Sequence, residues 1–228
     1  MKDKKSSSKK KKQTRHQERQ EKRRRQRYLR IGVILIGLAL VAGYFLWPRP
    51  KALAVSQDRL NDDPFIGSIN APVTIVEYGD FGCPSCRAWH NAGILEQVQA
   101  AYGDQVRFVW RDFPVITAQS PKAAEAAQCA YDQGYFWGYH DLLFEQATSL
   151  RTSDLKRYAE NIGLDSSLFK QCLDSGQHKA TVEKDLQDAY RHRFRGTPSF
   201  LVNDQPLAGP PNFQILQNLI EPILLDNN

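Results

Sequence analysis

A short run of β-branched and apolar residues, Val73–Tyr78 (VTIVEY), is followed five residues later by Cys83-Pro84-Ser85-Cys86. From Pro84 to about Ala101 the sequence reads as a helix, and Val106–Arg111 (VRFVWR) alternates as a strand does. This order leaves few options. Two strands joined through a helix of that length lie parallel, and the crossover is right-handed. The cysteine segment then sits where the first strand ends and the chain turns into the helix.

From Ser120 to about Arg193 the signals are helical. Ser120 is placed to cap a helix that begins at Pro121 and stops at Gly134. Thr152 or Ser153 caps a second helix ending at Gly163, and Asp165 a third ending at Gly176. A fourth runs from about His178 to Arg191. Strand character returns at Ser199–Val202, Asn203-Asp204 marks a turn, and a second short strand reaches about Ala208. Asn212–Leu225 is apolar at helical spacing. The order predicts an α/β domain over residues 71–228, with a helical insertion at about 119–193.

The charge is unevenly divided. Of 31 Lys+Arg and 25 Asp+Glu, residues 1–30 hold 15 and 3, so the remainder of the chain is acidic. That split excludes a nucleic-acid role for everything after residue 30. Residues 31–47 (IGVILIGLALVAGYFLW) carry no charge. As a helix they cover roughly 25 Å of a ~30 Å hydrocarbon core, with Tyr44 and Trp47 placed as an interfacial belt. The basic tail keeps the N-terminus in the cytoplasm and sends the rest out. The competing reading is a signal peptide cleaved after Ala54, at Ala52-Leu53-Ala54; the long apolar run and the intervening Arg49 and Lys51 argue for an uncleaved single-pass membrane anchor. Residues 48–70, with Pro48, Pro50 and Pro64, read as a linker.

A CxxC pair serves either zinc or redox chemistry. Zinc takes four ligands, and Cys129 and Cys172 have no CxxC partners of their own. At a helix start, unpaired N–H groups and the helix dipole favour thiolate over thiol, which makes Cys83 a nucleophile. Cys86, one turn further in, can then resolve a mixed disulfide. Pro84 suits a first helical turn, where an N–H would have no partner. No metal and no separate cofactor is expected. His90, four residues after Cys86, either tunes the thiols or packs; His140 reads as core, as do Trp89, Trp110, Phe136 and Trp137. Asp80 and Phe81 lie on the approach to Cys83.

Several stretches together carry a family resemblance. They are VTIVEYGDFGCPSCRAWH, RFVWRDFPV, AAEAAQCAYDQGYFWGYHDLLF and FRGTPSFLVN. Over Pro72–Leu225 the chain resembles the DsbA-like branch of the thioredoxin superfamily, in particular its membrane-anchored, BdbD-type members. The resemblance implies a thioredoxin fold with an inserted helical domain. It also implies a thiol:disulfide oxidoreductase that forms disulfides in exported proteins through Cys83 and Cys86. Thr197-Pro198 matches the family's cis-proline loop, which faces the cysteines and binds an extended client chain; a trans proline at a strand edge is the alternative. Glu77, six residues before Cys83, matches the buried acid that moves a proton to or from the inner cysteine; the alternative is a strand-end glutamate reaching water.

In an oxidising compartment the two remaining cysteines, Cys129 and Cys172, are expected to pair as a structural disulfide, with free thiols or a second redox relay as alternatives. The resemblance implies as partners reduced, unfolded exported proteins and a quinone-linked membrane reoxidase of the DsbB or VKOR-like kind. No dimerisation domain precedes the core, so a monomer is expected. Pro84-Ser85 departs from the strongly oxidising members, which carry a histidine between the cysteines, and this leaves a reductase or isomerase of the same fold as the alternative function. A non-catalytic, membrane-tethered binding module is the alternative from a different class.

Overall fold

The computed structural model describes residues 63–145, 149–203 and 205–226. The basic tail, the apolar run 31–47 and most of the linker lie outside the described residues. Among the described residues no helix is long and apolar enough to cross a membrane.

The first strand, β1 (Phe65–Ile66), falls in the stretch read as linker. It is too short to show a period, and it forms by pairing antiparallel with β3 (Val106–Asp112). The strand read at Val73–Tyr78 is β2, Val73–Gly79. It pairs parallel with β3, with Glu77 opposite Trp110. Its other edge takes β4 (Ser199–Val202) antiparallel, and β5 (Gln205–Ala208) closes the sheet in the order β1-β3-β2-β4-β5.

The first crossover is two helices, not one. α1 spans Pro84–Asn91 and α2 spans Ile94–Tyr102. Gly93, at φ +64, takes the left-handed conformation that breaks the run between them.

Among the described residues five helices lie between β3 and β4: α3 (Ser120–Tyr131), α4 (Phe136–Glu145), α5 (Thr152–Asn161), α6 (Ser166–Ser175) and α7 (Lys179–Arg191). The terminal helix α8 is Phe213–Asp226. Asp165 caps α6 as its sequence suggests, accepting from the Ser167 and Leu168 amides, and Gly176 stops it in the left-handed conformation. Ser120 and Thr152 do not cap: they are the first residues of α3 and α5. The Ser120 hydroxyl instead accepts from the Thr117 amide at 3.1 Å, in the turn that enters α3.

Alternation along β2 divides its side chains between two cores. Val73 and Ile75 pack with Trp89, Val98, Phe108, Phe200 and α8 on one face, and Val76 and Tyr78 pack toward α7 on the other. Glu77 shares the face of Val73 and Ile75, which puts a carboxyl under α1. A third core joins Phe81 and both CxxC cysteines to the inserted helices. Within it Cys129 of α3 and Cys172 of α6 form a disulfide with Cα atoms 5.9 Å apart.

Candidate active site

Cys83 is the N-cap of α1, in extended backbone, and Pro84 is the first helical residue. The turn before it is fixed by Asp80. The buried Asp80 carboxylate accepts from the Gly82 amide (2.7 Å) and the Ile116 amide (2.8 Å), and its carbonyl accepts from the Cys83 amide (2.9 Å). Gly82 is required here, because a Cβ would come within 2.7 Å of the Ser120 hydroxyl. Gly79 is required too: a Cβ would lie 2.1 Å from the Trp110 indole. Phe81 stacks on that same indole at 5.0 Å.

The opposite wall is the loop before β4. The Thr197-Pro198 bond is cis, and Cys83 Sγ lies 3.3 Å from the Thr197 carbonyl oxygen, to which it donates only when protonated. The Thr197 hydroxyl is buried with no partner of its own, so it is free to donate to a Cys83 thiolate. Both CxxC cysteines are free thiols.

Three ionisable groups here depart from their ordinary behaviour. The Cys83 pKa falls from 9.0 to about 5. The main cause is the hydrogen bond from Cys86. Thr197 and the amides of Cys86 and Ser85 add to it, against an opposing cost of burial. Cys86, fully buried, is shifted up, first by desolvation, then by its bond to Cys83 and by Glu77. Glu77, 2% exposed, rises from 4.5 to about 8, mainly by desolvation and secondarily by the Cys83 charge. Two sulfurs three residues apart are thus held in opposite protonation states, and beside them is a carboxyl that keeps its proton at neutral pH.

Sequence reasoning missed a second buried acidic group. The Asp112 carboxylate accepts from Trp110 Nε1 (2.9 Å) and Gln128 Nε2 (2.7 Å), and its amide donates to Asp185 of α7 (3.2 Å). Desolvation raises Asp112 to about 6 and Asp185 to about 8. No motif marks these residues; only the docking of the insertion on β3 brings them together. An open cleft of about 850 Å³ borders the helix start, lined by Phe81, Pro84, Arg87, Thr117, Leu150 and Arg151 among others. His90 and His140 meet across the seam between α1 and α4, their ring centroids 5.3 Å apart.

A dithiol at the mouth of a β-α-β unit, facing a cis-proline, invites comparison with known proteins. A thioredoxin family model matches residues 59–222. The chain is similar to a thioredoxin-like oxidoreductase from Silicibacter pomeroyi, at 28% identity and TM-score 0.66, over 75% of this chain and 99% of that one. It is similar to oxidised BdbD from Bacillus subtilis, at 27% identity and TM-score 0.64, over 72% of this chain and 93% of that one. A curated relative, Na(+)/H(+) antiporter NhaA 3 of Salinispora tropica, is 39% identical over 66% of this chain; the chain spans only 23% of that protein's length. The match extends well past the CxxC, across the sheet and the inserted helices alike. The chain therefore belongs to the thioredoxin family, and its described residues form a thiol-disulfide oxidoreductase domain of the DsbA/thioredoxin type.

Proposed function

We propose that this domain acts as an oxidase, forming disulfide bonds in exported proteins. The observation that carries this reading is the opposite shift of the two thiols, Cys83 down to about 5 and Cys86 upward. Whatever stabilises the thiolate of Cys83 stabilises the reduced pair over its disulfide, and a disulfide whose reduced form is stabilised is a stronger oxidant.

In the proposed cycle a client thiolate attacks Cys83 Sγ of the Cys83–Cys86 disulfide. The sulfur–sulfur bond breaks, the electron pair goes to Cys86, and Cys86 takes a proton. Glu77, buried and held protonated at neutral pH, supplies it in this reading. A second client thiolate then attacks the client's own sulfur. The client leaves oxidised, and Cys83 leaves as a stable thiolate. Beside the thiols, the Thr197-Pro198 loop offers backbone groups to an extended client chain, and the cleft at the start of α1 gives the client room.

The proposal includes a setting. Residues 31–47 anchor the chain in the cell membrane with the N-terminus in the cytoplasm, as in BdbD-type proteins. The domain works outside the cytoplasm as a monomer, and a quinone-linked membrane reoxidase of the DsbB or VKOR-like kind restores the disulfide. The test is thiol trapping in cells. An oxidase holds Cys83 and Cys86 mostly as a disulfide at steady state; a mostly reduced pair would instead support a reductase or isomerase. Cys83→Ser abolishes oxidation of a reduced, unfolded client, and Cys86→Ala accumulates mixed disulfides. Full activity in Cys83→Ser would refute the first step and favour a tethered binding module.

A further inference from the structure

A second cluster of metal-ligating side chains lies on the seam between the active-site helix and the insertion. His90 sits one turn after Cys86 on α1, and it faces Asp141 and Glu145, which are four residues apart on one side of α4. His90 Nε2 is 4.0 Å from Asp141 Oδ1 and 3.9 Å from Glu145 Oε1. His140 Nδ1 lies 2.9 Å from the same Asp141 oxygen. The ligand atoms of His90, His140 and Asp141 all fall within 4.8 Å of one another. Four nitrogen and oxygen ligands around a tetrahedral zinc, at about 2.1 Å from it, stand about 3.4 Å apart. The observed separations lie on both sides of that value, and side-chain movements of up to about 1.5 Å bring His90, His140 and Asp141 onto one ion.

His140 makes the case specific. It is 3% exposed, and its Nε2 is buried without a hydrogen-bond partner. The ring stands T-shaped to Trp110 (4.8 Å) and Phe144 (4.9 Å), among other aromatic rings. Burial favours the neutral imidazole, which has one N–H and one lone pair. If Nδ1 bears the hydrogen, it bonds to Asp141, but the Nε2 lone pair is left buried among π faces, which accept nothing from it. If Nε2 bears the hydrogen, the aromatic faces receive it weakly, but the Nδ1 lone pair then meets a carboxylate oxygen at 2.9 Å, acceptor against acceptor. A cation on Nδ1 resolves both conflicts.

We propose that His90, His140, Asp141 and Glu145 bind one divalent cation of the zinc class, and that this cation clamps the active-site helix to the inserted helical domain. Two imidazoles and two carboxylates, with no thiolate, suit a borderline cation that takes tetrahedral nitrogen and oxygen ligands. The half-exposed Asp141 and Glu145 carboxylates leave an entry from solvent, whereas His140 closes the inner side. The site is separate from the CxxC pair and does not depend on the direction of the redox reaction.

The test is zinc titration of the untagged, full-length protein in its oxidised form. There Cys83, Cys86, Cys129 and Cys172 are all held in disulfides and cannot compete for metal. One zinc binds per chain, and the thermal midpoint rises with free zinc. Cobalt, used as a probe in place of zinc, gives the visible spectrum of a tetrahedral site. His90→Ala removes a largely buried imidazole and Asp141→Asn alters a half-exposed carboxylate, and each weakens zinc at least about tenfold. His140→Phe fills the aromatic pocket without a ligand atom and abolishes the cobalt spectrum. Zinc affinity unchanged in both His90→Ala and Asp141→Asn would overturn the site, as would an oxidised protein that binds no zinc.

Discussion

Glu77→Gln tests the electrostatics of the site without touching a sulfur. Glu77 is 2% exposed, in register between Trp110 and Phe200, and its pKa is raised from 4.5 to about 8. Between those two values the folded chain holds a proton that the unfolded chain has released. The native state binds more protons, so the Glu77 contribution to stability falls as pH rises through the window and is lost once pH passes about 8. A rise of that size, at 1.36 kcal/mol per pKa unit, is worth about 5 kcal/mol. Glutamine keeps the shape and cannot ionise. The assay is urea unfolding of wild type and variant at pH 5, 7 and 9, both with Cys83–Cys86 oxidised, so that no thiol titrates and desolvation, the main cause of the rise, acts without the Cys83 charge. Asp112 and Asp185 also titrate in this range, but they do so in both proteins and cancel in the difference. Relative to the wild type, the variant gains up to about 4 kcal/mol from pH 5 to pH 9. Curves that stay parallel over that range would show that Glu77 is not held in its neutral form.

Thr197→Val removes the hydroxyl that is free to donate to the Cys83 thiolate. A hydrogen bond to a charged group is worth about 1.5–3 kcal/mol, so the Cys83 pKa, about 5 in the wild type, rises by one to two units. The alkylation rate of the reduced protein against pH reads this directly, and an unmoved midpoint would exclude the hydroxyl as a donor. Replacing Cys129 and Cys172 with alanine opens a loop closed across a sequence separation of 43. In the chain-entropy model this costs about 4 kcal/mol in urea unfolding, and the Cys83 alkylation midpoint does not change. A shifted midpoint would mean that the bridge acts on the thiols and not only on the fold.

What was legible in the sequence follows from how local each signal is. β2, β3 and the CxxC turn were legible because short β-branched runs and a helix-starting proline act within a few residues. Asp165 reads correctly as a cap because its partners are the amides of the second and third helical residues, Ser167 and Leu168. Ser120 misled, because a turn three residues upstream competes for its hydroxyl. β1 was invisible because two residues show no period and exist as a strand only through their pairing with β3. The helix break at Gly93 was missed because an isolated glycine inside a helical run is usually tolerated. At the site, Cys83, Cys86, Glu77 and Thr197-Pro198 were named from motif and resemblance. The Asp112–Asp185 contact and the His90–Asp141–Glu145 seam were not, because each needs the insertion to dock on the core before its members meet.

The proton inventory of the cysteine pair gives a last expectation. Reducing a disulfide adds two electrons, and two ordinary thiols would take up two protons at pH 7. Here Cys83, with its pKa near 5, remains a thiolate, whereas the buried Cys86 must be protonated. Glu77, near 8, holds its proton at pH 7 and is ready to be reprotonated if it passes that proton to Cys86. Net uptake is therefore one proton for two electrons. For a two-electron couple a tenfold change in equilibrium is about 30 mV, so the midpoint potential falls by about 30 mV per pH unit around pH 7, against about 59 mV for ordinary thiols. Below about pH 5 Cys83 also takes a proton and the steeper slope returns. Equilibration with glutathione buffers from pH 4 to pH 8 measures the slope. A uniform slope of about 59 mV across that range would mean that Cys83 is protonated at neutral pH, and the argument for an oxidase from thiolate stabilisation would fail with it.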